Sequence, residues 1–107
     1  MDFEELLKLL KEELLNVLGE SFSEYKEESK EDIEAFLEAS KVKLERWTKL
    51  LVSKDLTVKD YEWLLKSQKD ILVLKALYKA GASKRRLGHL KNKIIKTIVD
   101  TVVKVVL

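Results

Sequence analysis

Leu56-Thr57-Val58-Lys59-Asp60-Tyr61 carries a complete set of helix-start signals within six residues. The Thr57 hydroxyl is suited to accept a free backbone N–H of the first helical turn. Asp60 stands at the third helical position, where its carboxylate can return the bond to the Thr57 backbone, and Leu56 and Tyr61 have the spacing of a hydrophobic staple. This predicts a tight turn near residues 53–57, between a helix ending about Lys54 and another running from Val58 to about Ala80, closed by Gly81. A turn that short makes the two helices an antiparallel hairpin. Paired about it, Leu51 meets Tyr61, Trp47 meets Leu64 and Leu65, and Ile33 lies near Tyr78.

Working upstream, Ser21 and Glu24 have capping-box spacing, so the second helix is expected over residues 22–54. Ile33, Leu37, Ser40, Leu44, Trp47 and Leu51 alternate steps of four and three, the seam of a helix beside a nearly antiparallel neighbour. Its opening, Glu24 to Asp32, has little apolar content beyond Tyr25 and is expected to project past the core or rest against a charged partner. Downstream, Ile71 to Tyr78 is apolar on nearly every face, which places the third helix at the centre.

At the ends, Phe3, Leu6, Leu7, Leu10, Leu14, Val17 and Leu18 form one helical stripe, so a short first helix is expected over residues 2–18, with Gly19 as its left-handed terminator. In the last stretch Lys96, Thr97, Asp100, Thr101 and Lys104 recur with helical period, and period outweighs the strand preference of the many Val and Ile residues. A final helix over 84–106 follows. The expected architecture is all-α, a single domain of 107 residues built as three long helices with the short N-terminal one added.

Composition agrees. The chain is 46% hydrophobic and 37% charged, with three Gly and no Pro, too few turn residues for a sheet protein. It has no Cys, which removes disulfides, thiolate metal sites and a Cys nucleophile. The opening Met-Asp-Phe-Glu-Glu is acidic where a signal peptide would be basic, and the apolar run from Ile94 to Leu107 is broken by Lys96, Asp100 and Lys104. The expected location is the cytoplasm. The segment LTVKDYEWLLKSQKD (56–70) with ILVLKALYKAGAS (71–83) resembles small all-helical proteins of bacterial or phage genomes without established activity. That resemblance implies helices and a bacterial or phage setting, and no function.

The net charge of +2 conceals a division. Residues 1–40 hold thirteen Asp/Glu against four Lys, a net of −9; residues 41–107 hold seventeen Lys/Arg against six Asp/Glu, a net of +11. The single His89 lies among Arg85, Arg86, Lys91 and Lys93 with no local carboxylate to orient it, so no catalytic residue is assigned and the protein is expected not to be an enzyme. Glu27, Glu31 and Glu34 share a helix face, but no Glu-x-x-His motif accompanies them, so neither metal nor cofactor is expected and the acidic run reads as a solvated face.

Lys84, Arg85 and Arg86, followed by Lys91, Lys93 and Lys96, put cations at a helix start, against the helix dipole. Two explanations compete. The hairpin brings this basic opening beside the acidic residues 24–38, so the two can neutralise each other within the bundle. Alternatively these six residues bind a polyanion, nucleic acid or an anionic membrane. Trp63 lies between the seam positions Tyr61 and Leu64; packing on the last helix is expected, exposure as an interface anchor being the alternative. The first helix is acidic and would fold back on an acidic neighbour, which makes Leu6, Leu10 and Leu14 candidates for an interface. The function expected is therefore a non-enzymatic interaction or assembly protein, its partner a second copy in a homodimer or another protein, with no small-molecule substrate evident.

Overall fold

A computed structural model describes residues 2–68 and 73–107, the side chain of Ser21 excepted. Among the described residues five α-helices follow one another: α1 (Phe3–Ser21), α2 (Lys26–Val52) after a 3₁₀ turn at Ser23–Tyr25, α3 (Val58–Lys66), α4 (Lys75–Lys79) and α5 (Lys84–Val106). No strand occurs among the described residues, and the chain is an all-α bundle. The starts are capped as local chemistry directs. Asp2 accepts from the Glu4 N–H at 2.9 Å and Ser83 from that of Arg86 at 3.2 Å. Thr57 and Asp60 form a reciprocal capping box at 3.1 and 3.3 Å.

The three long helices are α1, α2 and α5. Leu6, Leu10, Leu14 and Leu18, four residues apart along α1, are all buried, and α1 packs against both α2 and α5. Burying one leucine side chain is worth about 1.5–3 kcal/mol, so this stripe is a principal part of the core rather than a surface. The expectation that Leu6, Leu10 and Leu14 form an interface is thereby corrected. The electrostatic objection to packing α1 on α2 is met by the few lysines the two acidic helices carry. Lys11 Nζ lies 2.7 Å from Glu34 Oε1 and Lys41 Nζ 2.9 Å from Glu4 Oε1. The two pairs hold the helices antiparallel, each acidic face meeting a lysine of the other.

The first turn also departs from expectation. Gly19 keeps a helical backbone, and α1 runs on to Ser21, where the Phe22 N–H donates to the Leu18 carbonyl. Ser21 thus closes α1 instead of capping α2, which begins at Lys26 with no side-chain cap from Tyr25. Burial of Phe22 in the core decides where the chain turns, overriding the left-handed preference of Gly19.

The two sides of the hairpin meet at both ends, displaced by about three residues from the expected pairing: Tyr61 Oη lies 3.1 Å from Thr48 Oγ1, one turn short of Leu51, and Asp32 reaches Ala76 and Leu77. Between them the expected helix over 58–80 is interrupted. It stops at Lys66, where the Ser67 hydroxyl donates to the Leu64 carbonyl and the Gln68 side chain accepts from Lys43 Nζ of α2 at 3.2 Å. Such local side-chain bonds compete with helix continuation. Leu74 is left-handed (φ 51°), a conformation costing a non-glycine residue about 1–2 kcal/mol, and yet its side chain is buried, as is that of Leu77. The third segment is accordingly not the central helix: Val73 and Tyr78 are exposed, while Ile71 and Leu72 lie outside the described residues.

Asp32 also departs from the solvated acidic face. It is 6% exposed, and its two carboxylate oxygens accept the backbone N–H groups of Ala76 (2.8 Å) and Leu77 (2.9 Å). α4 has no side-chain cap of its own, Leu74 standing at its N-cap position, and borrows one from α2.

Candidate functional site

Two surfaces carry the residues singled out by chemistry: the outer face of α3 and the outer face of α5. On α3, Tyr61 and Leu65 point inward and are buried, while Trp63 between them is 68% exposed. Packing of Trp63 on the last helix is therefore corrected; the helical spacing that buries Tyr61 and Leu65 turns Trp63 away from the bundle. An indole presented to water is unusual for so large an aromatic. A groove of about 540 Å³ runs between α3 and α5, floored by Ile95 and Val99 and edged by Glu62, Lys66, Lys96 and Asp100; Trp63, next to Glu62 in the chain, is not part of its lining. Glu62 and Lys66 pair across one helical turn at 3.2 Å. Trp47, by contrast, packs half-buried against the core.

On α5 the basic residues do not act as one set. Arg86 Nη1 lies 2.8 Å from Glu24 Oε1, and its guanidinium carbon sits 4.0 Å over the centre of the Phe22 ring. A bond from its own backbone and another from Arg86 hold the Glu24 carboxyl below the usual carboxylate range. So the acidic stretch 24–38 meets the basic opening of α5 through its first residue, Glu24, in the 3₁₀ turn before α2. Lys84, Arg85, Lys93 and Lys96 stand on exposed positions of α5, and Lys91 is half-buried.

His89 is exposed, on a small cleft of about 220 Å³ lined by Phe22, Arg86, Leu90 and Lys93. None of these is a carboxylate. Among the described residues no group of three or more His, Asp or Glu is placed to hold a metal ion, and no helix is long and apolar enough to cross a membrane.

What was not visible in the sequence is the groove between α3 and α5, because α3 leans on α5 as well as on α2. No protein-family model matches the chain, and no curated protein and no solved structure matches it either.

Proposed function

We propose that the protein is a protein-binding module in which Trp63, exposed on the outer face of α3, anchors the partner. The observation that carries this reading is the 68% exposure of Trp63 on a helix where Tyr61 and Leu65 are buried and Leu64 is half-buried, Val58 at its first position being the other exposed apolar residue. Tryptophan supplies large contact area at small entropic cost, and residues of this kind dominate binding energy at protein interfaces. With the α1 stripe consumed by the core, Trp63 is the one exposed tryptophan among the described residues, and the other exposed apolar residues (Val42, Val52, Val58, Val73, Tyr78, Val105 and Leu107) are spread from α2 to the end of α5.

Photo-crosslinking tests this. Benzoylphenylalanine placed at Trp63, with the same substitution at Val42 (72% exposed, on α2) as control, is expected to give a discrete adduct from position 63 alone. Mass spectrometry of the adduct separates a foreign protein from a second copy. Equal labelling from both positions would sink the reading.

A second reading rests on the exposed Lys84, Arg85 and Lys96, which support binding to a polyanion. It predicts retention on heparin that falls steeply with salt and is reduced by Arg85→Glu and Lys96→Glu without loss of stability. Arg86→Glu should instead lower the melting temperature, since it places a carboxylate against Glu24.

A further inference from the structure

A cleft of about 530 Å³ opens where the end of α1 meets the start of α2, with Leu15, Gly19 and Phe22 on one wall and Lys26, Ser29 and Lys30 on the other. That volume lies within the range of small-molecule sites. Three features of its lining point to a ligand, each on separate grounds.

The first is Gly19. It sits inside α1 with helical backbone, so its freedom to adopt positive φ is unused. Glycine there costs about 1 kcal/mol relative to alanine. A Cβ at Gly19 would meet nothing within 4 Å, so internal packing does not demand glycine either. The consequence of the missing side chain is room in the cleft.

The second is Ser29, which is 3% exposed and whose Oγ has no hydrogen-bond partner among the described residues. Helical serines commonly return their hydroxyl to the carbonyl four residues back. A buried hydroxyl left unpaired costs about 1–3 kcal/mol, a penalty that a ligand oxygen would remove. The third is charge. Lys26 and Lys30 stand one helical turn apart on the exposed side of α2, flanking the buried Ser29, and Glu27 is the acidic member of the lining, leaving the rim net positive. Phe22, buried under the Arg86 guanidinium, gives the apolar wall a fixed backing.

We infer that this cleft binds an amphiphilic carboxylate. The apolar chain lies against Leu15, Gly19 and Phe22, and the carboxylate meets the Lys26 and Lys30 ammonium groups; the Ser29 hydroxyl, sealed beneath the cleft, rotates outward to donate to it. The site is on a different face from Trp63 and stands independently of the protein-binding reading.

The test is a two-dimensional amide NMR titration of the full chain with decanoate below its micelle concentration, set against decyltrimethylammonium, which has the same chain and the opposite charge. Saturable binding of decanoate is expected, with the largest shifts at Gly19, Ser29 and Lys30, and with the cation at least about ten-fold weaker. Gly19→Leu, which fills the open space, should abolish the shifts, and Lys26→Glu with Lys30→Glu should weaken decanoate by at least about ten-fold. The surface double variant keeps the test valid if the leucine variant folds poorly. Equal binding of the two amphiphiles, shifts centred on Trp63, or undiminished decanoate binding in the charge-reversed variant would each overturn the inference.

Discussion

The Asp32 carboxylate on α2 accepts the backbone N–H of Leu77 at 2.9 Å and thereby caps a helix 45 positions further along the chain. The same carboxylate takes the Ala76 N–H through its other oxygen. Asp32→Ala leaves both donors buried without a partner, and the expected loss is about 1–3 kcal/mol of unfolding free energy in a urea titration. Asp32→Asn, which retains one acceptor oxygen, should recover part of it. If alanine costs nothing, α4 does not depend on this cap.

Thr48 and Tyr61 form the buried polar contact at the turn end of the hairpin. Tyr61→Phe is expected to cost about 1–2 kcal/mol, because the Thr48 hydroxyl is left buried and unpaired. Combining it with Thr48→Val should cost less than the two single changes added together, a non-additivity readable in a double-mutant cycle.

The pH dependence of stability has two limbs. Hydrogen bonding and charge from Lys11 hold the Glu34 carboxyl below its usual range, and Glu24 is lowered likewise by its own backbone and Arg86. Groups that ionise more readily when folded contribute stability above the usual carboxylate range and lose it as pH falls through and below that range. At the other end, Glu4 raises the Lys41 ammonium and burial raises the Tyr61 phenol. Their contributions are complete below the ordinary values and disappear as pH rises through the raised ones. Thermal melts across pH should show a plateau between an acid and an alkaline fall. Lys11→Met should shrink the acid limb, and Tyr61→Phe the alkaline one.

The glycines separate into two kinds. Gly88 lies within α5 with nothing within 4 Å of an added Cβ, so Gly88→Ala should stabilise by about 0.5–1 kcal/mol. Gly81 has φ +110°, and Gly81→Ala should destabilise by about 1–3 kcal/mol through backbone strain. Calorimetric melting of the two variants should shift in opposite directions.

Leu14→Ala removes a fully buried side chain at the centre of the α1 stripe and should cost about 2–5 kcal/mol. Trp63→Ala should change stability by no more than about 0.5 kcal/mol, as for exposed positions generally. A large loss for Trp63 and a small one for Leu14 in matched chemical denaturation would reverse the assignment of core and surface.

Much of this fold could be read before any coordinates. The Thr57–Asp60 capping box forms as its spacing indicates, α5 spans Lys84–Val106, and the two sides of the hairpin meet near Tyr61 and near Leu77. These features rest on local bonding or on strict period. What escaped depended on contacts distant in sequence. The borrowed cap from Asp32 lets a second helix start after a left-handed Leu74, and no local pattern records that. The burial of Phe22 moved the first turn beyond Gly19. Lys11 and Lys41 reconcile two acidic helices, a matter of register that net charge hides. Of the candidate site, Trp63 was visible as the residue out of phase with its seam, but whether α5 covers that side of α3 is a matter of tertiary packing that the period does not record.

The position of α1 between α2 and α5 bears on the order in which the molecule becomes complete. Its pairing with α2 joins segments adjacent along the chain and can form early, whereas its pairing with α5 joins the first helix to the last. Loop closure of that span slows the step. On the ribosome, α1 and α2 emerge together while the side of α1 that packs on α5 still faces water, and it stays wet until α5 has left the exit tunnel. Chains halted before α5 should therefore be recognised by chaperones and proteases as unfinished, even where their first two helices are already formed.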